Sequence, residues 1–129
     1  MMHPATGSDQ KTILIVEDNK ALRDAFCDIL EAAKYRVVSA SDGREALTLF
    51  YEQTRSVELL ITDINMPEMD GIALAEKLRQ KDAGLKVLLM SGQNPAESGH
   101  ASPHIPIDGW LQKPVGLKDF LRAVNELLR

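Results

Sequence analysis

Five short runs of β-branched and aliphatic residues alternate with helical periods along this chain, joined by short connections. The runs are 12–17 (TILIVE), 36–40 (RVVSA), 58–63 (ELLITD), 85–91 (LKVLLMS) and 107–112 (IDGWLQ). Several are continuous apolar blocks, the pattern of parallel strands covered on both faces. Between the first two runs, Leu22, Ala25, Phe26, Ile29, Leu30 and Ala33 follow the spacing of an amphipathic helix. Ala46, Leu47, Phe50 and Tyr51 do the same behind Asp42, a capping residue with Glu45 three positions on. Ile72, Ala75 and Leu78 mark a third helix from Asp70-Gly71, and Leu117, Phe120, Leu121, Val124, Leu127 and Leu128 mark the last. Such alternation predicts right-handed crossovers and a three-layer α/β domain around a parallel sheet.

The connection between the fourth and fifth runs breaks the pattern. Asn94-Pro95-Ala96-Glu97 is a helix start, but Ser98-Gly99, Pro103 and Pro106 follow at once. At most one helical turn is expected there, so this helix should be short or irregular.

At 129 residues the chain is the size of one domain, with 1–11 expected as a flexible tail and 12–129 as the folded unit. Nineteen acidic residues against fifteen basic ones give a net charge of -4, which argues against a nucleic-acid partner. The single cysteine, Cys27, cannot form an intramolecular disulfide, and a reducing compartment follows. No apolar run approaches the ~18 residues of a membrane span, and 1–11 lacks the apolar centre of a secretory signal. A cytoplasmic location is the expectation.

In an open parallel sheet, loops at the carboxyl ends of the strands form the binding crevice. The first strand ends in Glu17-Asp18, the third in Asp63 and the fourth in Ser91, while the fifth runs into Lys113-Pro114. Three carboxylates at close range repel one another. A hard divalent cation such as Mg²⁺, which takes a few carboxylate oxygens together with water and phosphate oxygens, removes the conflict. Lys113 then serves as a second cation for a phosphoryl group on Asp63, and Ser91 can donate to it. Each acid alone also reads as a helix cap or a solvated loop residue, and Asp18 and Asp70 both stand where caps stand. Their joint placement at successive strand ends favours shared chemistry.

The stretches 15–19 (IVEDN), 60–71 (LITDINMPEMDG) and 111–114 (LQKP) resemble receiver domains of two-component response regulators, and the likeness extends over 12–129. That resemblance implies a flavodoxin-like, doubly wound (βα)5 fold with strand order 2-1-3-4-5. It implies that Asp63 accepts a phosphoryl group from a histidine kinase or histidine phosphotransfer protein with Mg²⁺ as cofactor. Asp18 matches the acid that binds the metal directly, Glu17 its neighbour acting through water, and Asn65 the position whose backbone carbonyl completes the shell. Ser91 matches the switch hydroxyl and Lys113 the lysine that contacts the phosphoryl group. Pro114 matches a proline preceded by a cis bond, and Trp110 an aromatic switch position more often held by Tyr or Phe. The implied protein is a signalling module rather than an enzyme, catalysing only its own phosphotransfer and dephosphorylation. A short helix between strands four and five resembles receivers of hybrid histidine kinases or free-standing relatives. No output module is expected after the last helix, so the downstream partner is expected to be a separate protein; a monomer or weak dimer is the expected state.

Two other functions compete. An aspartyl-phosphate phosphohydrolase of the haloacid dehalogenase type needs a second acid two residues after its nucleophile, and Asn65 there disfavours it. A flavin site on the same fold needs a phosphate cradle after the first strand, where Glu17-Asp18-Asn19-Lys20 is acidic. A binding module that is never phosphorylated is disfavoured by the complete set of chemical residues. His100 and His104 have helical metal-pair spacing but sit in a segment with no helical pattern, so a solvated loop is the reading adopted. Cys27 beside the apolar stripe reads as an inert thiol. Met66 and Met69 read equally as local packing or as an adaptable contact for a kinase.

Overall fold

The computed structural model describes residues 10–53, 55–92 and 106–129. Its elements are β1 (Thr12–Val16), α1 (Lys20–Ala32), β2 (Arg36–Ala40), α2 (Gly43–Glu52), β3 (Leu59–Asp63), α3 (Gly71–Lys81), β4 (Lys86–Ser91), β5 (Gly109–Gln112) and α4 (Leu117–Leu128). All neighbouring strands are parallel and the sheet order is β2-β1-β3-β4-β5. This is the doubly wound, flavodoxin-like arrangement. The segment 93–105, with His100 and His104, and most of the 1–11 tail lie outside the described residues.

The alternation of side chains along each strand divides the core in two. Ile13, Ile15, Leu59, Ile61, Leu88 and Met90 meet Phe26 and Leu30 of α1 and Phe120 and Val124 of α4 on one face. Phe26 and Phe120 stack there with ring centroids 4.1 Å apart. Leu14, Val16, Leu60, Val87 and Leu89 meet Ala46 and Phe50 of α2 and Leu74, Ala75 and Leu78 of α3 on the other. Fully burying each Leu, Ile or Phe is worth about 1.5–3 kcal/mol, which is why the central strands are apolar over 13–16, 59–61 and 87–90 and carry their polar residues at the ends.

Local rules place the helix ends. Asn19 caps α1, its Oδ1 accepting from the Leu22 amide at 2.9 Å. Asp42 and Asp70 cap α2 and α3 in the same way, each accepting at 2.8 Å from the amide three residues on. Glu45 reaches back to the Ser41 amide at 2.7 Å, so the capping box closes one residue earlier than the pattern predicts. Helix α1 ends on Lys34 at φ 76°, with Lys34 N donating to Glu31 O and Tyr35 N donating to Leu30 O. These two bonds form a Schellman close around a left-handed residue.

The connection after β3 shapes the carboxyl edge of the sheet. After β3 the chain turns through Glu68 at φ 70°, where the Met69 amide donates to Pro67 O at 2.7 Å in a γ-turn. Met66 and Met69 are half-buried and packed against the α2–α3 core. The loop is tied at its base by Gly71, whose amide donates to Ile64 O at 2.7 Å. A Cβ on Gly71 would lie 2.1 Å from the Asp63 carbonyl oxygen, so only glycine permits this approach.

At the opposite edge, Arg79 of α3 holds three partners. Its Nε donates to Leu85 O at 2.6 Å, Nη1 to Pro106 O at 2.7 Å and Nη2 to Asp108 Oδ2 at 2.8 Å. The same Asp108 oxygen accepts the Val87 amide at 2.8 Å. A side-chain bond thus replaces a ladder bond at Val87, and β5 begins at Gly109 rather than at 107. Among the described residues, no helix is long and apolar enough to cross a membrane.

Candidate functional site

The sheet order reverses beside β1 and β3, and the crevice lies at their carboxyl ends. There Glu17, Asp18 and Asp63 converge, each offering a carboxylate oxygen within 4.8 Å of the others. Glu17 and Asp63 are buried, at 1% and 5% exposure, whereas Asp18 is open to solvent. Asn19, not Asp18, caps α1, which leaves the Asp18 carboxylate uncommitted among the described residues.

Lys113, just past β5, supplies the opposing charge. Its Nζ lies 2.6 Å from Asp63 Oδ1 and 3.1 Å from Glu17 Oε1. Burial pushes the Asp63 carboxyl up to about 6; the Lys113 bond opposes the rise and the Glu17 charge adds to it. Burial alone would lower the Lys113 ammonium, but its bonds to Asp63 and Glu17 outweigh that and hold it above its usual range. Asp63 Oδ1 is fully buried and has the ion pair but no well-directed hydrogen bond. Three converging hard oxygen donors, two of them paired with one ammonium and one under-coordinated, suit a small divalent cation.

The remaining residues singled out in the sequence lie on α1, β4, β5 and the adjoining loops. Ser91 ends β4, buried, and its carbonyl accepts the Lys113 amide at 2.7 Å. The Lys113–Pro114 peptide is cis. Trp110 pairs with Leu89 in register, two positions before the Ser91–Gln112 pair, and is half-buried against the α2–α3 core. Trp110 and Ser91 therefore share one face of the sheet. Asn65 is exposed in the loop after β3, two residues past Asp63. Cys27 is half-buried, and burial pushes its thiol up, away from reactivity.

One contact to this loop was not foreseen. Arg23 on α1 donates from Nη1 to the Glu17 carbonyl at 2.7 Å. An arginine on the polar side of a helix pattern carries no sequence signal for such a bond. Its only hint is that it stands one and a half turns after an acidic strand end.

Comparison with known proteins accords with this geometry. Residues 13–125 match the response regulator receiver domain. The response regulator receiver protein CpdR of Brucella abortus is 33% identical over 123 residues, covering 92% of this chain and 97% of CpdR. The sensor kinase CckA of the same organism is 36% identical over 124 residues, 94% of this chain but 13% of the kinase. Among solved structures, the response regulator TrrA of Thermotoga maritima in complex with Mg²⁺ and BeF is similar, with a TM-score of 0.76. It is 27% identical, over 92% of this chain and 99% of that one. The chain belongs to the response regulator receiver domain family, whose members are signalling modules of two-component systems. Its length is nearly that of CpdR and a small part of CckA.

Proposed function

We propose that this domain, over 12–129, accepts a phosphoryl group on Asp63 from the phosphohistidine of a histidine kinase or phosphotransfer protein and signals to a partner protein by changing conformation. The observation that carries the reading is the buried Asp63 carboxylate, ion-paired to Lys113 at 2.6 Å inside a cluster of three acids. The ion pair with Lys113 favours the ionised, nucleophilic form of Asp63, against the burial that raises its carboxyl. An Asp63 oxygen attacks phosphorus, the phosphorus–nitrogen bond to the donor imidazole breaks, and the imidazole leaves with the electron pair and takes a proton. Lys113 would hold the transferred oxygens, and Ser91 would donate to one of them.

Mg²⁺, when bound, neutralises the phosphoryl oxygens and aligns them for in-line displacement. Asp18 would hold it directly, Glu17 through water and Asn65 by its backbone carbonyl; the cluster and the Mg²⁺ complex of TrrA support this. Trp110 is the aromatic side chain that follows movement of Ser91, with which it shares a face of the sheet. We place the domain in the cytoplasm as a monomer or weak dimer, acting as a signalling module without turnover of an external substrate. Incubation with acetyl phosphate and Mg²⁺ tests the assignment. Intact-mass analysis should show one added phosphoryl group on wild type and none on Asp63→Asn, because an amide is not a nucleophile. Labelling that survives this substitution would refute it.

A further inference from the structure

The polar groups of Glu17 are all engaged. Its amide donates to Ala40 O at 3.1 Å, continuing the β1–β2 ladder by one bond. Its carboxylate accepts Lys113 Nζ at 3.1 Å on one oxygen and the Asn19 amide at 3.1 Å on the other. Its carbonyl lies past the end of β1, where the ladder to β3 has finished, and it accepts Arg23 Nη1 at 2.7 Å instead. That carbonyl belongs to the peptide joining Glu17 to Asp18, whose orientation determines where the Asp18 side chain leaves the backbone. Asp18 itself makes no side-chain hydrogen bond or ion pair among the described residues. The direction in which its Cα–Cβ bond leaves the chain is therefore set by the backbone, and Arg23 holds the peptide that sets it.

We infer that Arg23 is a positioning residue for the metal pocket: its guanidinium fixes the Glu17–Asp18 peptide and so aims the Asp18 carboxylate at Mg²⁺. The inference rests on the reading of Glu17, Asp18 and Asp63 as a metal site. A guanidinium is suited to the task because its donors are held in a rigid plane and its charge strengthens the bond to a carbonyl. Its cost is electrostatic, since a cation near three carboxylates opposes a second cation. Arg23 is only partly buried, so solvent and salt screen that repulsion, whereas the hydrogen bond is short-range and unscreened. Positioning should prevail, as outer partners of metal ligands commonly govern affinity by about 10–100-fold.

Calorimetric titration of Mg²⁺ into the full chain and its variants separates these effects. Arg23→Met keeps the helix and a long aliphatic side chain but has no donor, and its Kd for Mg²⁺ should rise about tenfold. Arg23→Lys keeps charge and a donor, and should stay within about threefold of wild type. Melting temperatures in EDTA provide the second readout, because a purely structural role would lower Tm and leave Kd unchanged. Unchanged or tighter Mg²⁺ binding by Arg23→Met would overturn the inference while leaving the metal site intact. So would an Arg23→Lys protein as weak as Arg23→Met. Failure of wild type to bind Mg²⁺ would overturn the site reading and the inference together.

Discussion

Substituting Gly71 by alanine adds one methyl group, and the structure specifies what it strikes. The new Cβ would lie 2.1 Å from the Asp63 carbonyl oxygen, 3.0 Å from the Asp63 carbonyl carbon and 3.0 Å from Thr62 Cγ2. Ordinary contact begins at 3.4 Å, so the backbone at Asp63 or the start of α3 must move by more than an ångström. Neither can move freely. Asp63 is the last residue of a central strand paired on β4, and Gly71 is tied to Ile64 O. In an exposed helix the same change would stabilise by up to about 1 kcal/mol. Overpacking against backbone costs about 1–3 kcal/mol and sometimes more, so a net loss of about 2 kcal/mol is expected. For a domain of this size about 4 °C is lost per kcal/mol, giving a Tm lower by about 8 °C. The displaced carbonyl belongs to the phosphoacceptor itself, so the rate of labelling by acetyl phosphate should fall more than the folded fraction does. Differential scanning calorimetry and a labelling time course test both effects. A Tm equal to or above wild type would refute the close-approach argument.

Three further outcomes follow from the geometry. Added Mg²⁺ should raise the Tm of wild type by mass action, and Asp18→Ala should lose that response; a variant that still responds like wild type would place the metal elsewhere. Lys34 is a side-chain-bearing residue at φ 76°, so Lys34→Gly should stabilise by about 0.5–1 kcal/mol, read as a higher urea midpoint at unchanged slope. The Asp63 carboxyl is raised from 3.8 to about 6, so in metal-free protein its contribution is fully present below pH 4 and is lost as pH rises through 6. With Lys113 and Glu17 sharing the shift, the loss is about 1–3 kcal/mol. In EDTA, Asp63→Asn should therefore gain on wild type between pH 4 and 7, and parallel Tm–pH curves would contradict the cause assigned.

What could be read from the sequence was whatever depends on neighbours a few residues away. The apolar blocks of β1, β3 and β4, the caps Asp42 and Asp70 and the stripe from Leu22 to Leu30 all express local periodicity or local hydrogen bonding. The converging acids were legible because parallel topology sends strand ends to one edge. Arg23 and Arg79 were not, since each looks like an ordinary solvated helix residue until its partners are known. Arg79 meets Asp108 across 29 positions, a distance no window covers. The first residues of β5 were misplaced for the same reason, because Asp108 competes with the ladder through its side chain. Left-handed Lys34 and Glu68 also escaped notice, neither being a glycine or an asparagine.

The Arg79 clamp bears on how such a chain can change over generations. β5 is seated by bonds from α3 and β4 to Pro106 and Asp108, at its own threshold. Its register is thus decoupled from the length and composition of whatever connects Ser91 to Pro106. Insertions, deletions or wholesale replacement of that connector should leave Lys113 opposite Asp63, so long as Arg79 and Asp108 persist. A lineage could remodel the connector for new partners while the phosphoacceptor chemistry stayed intact.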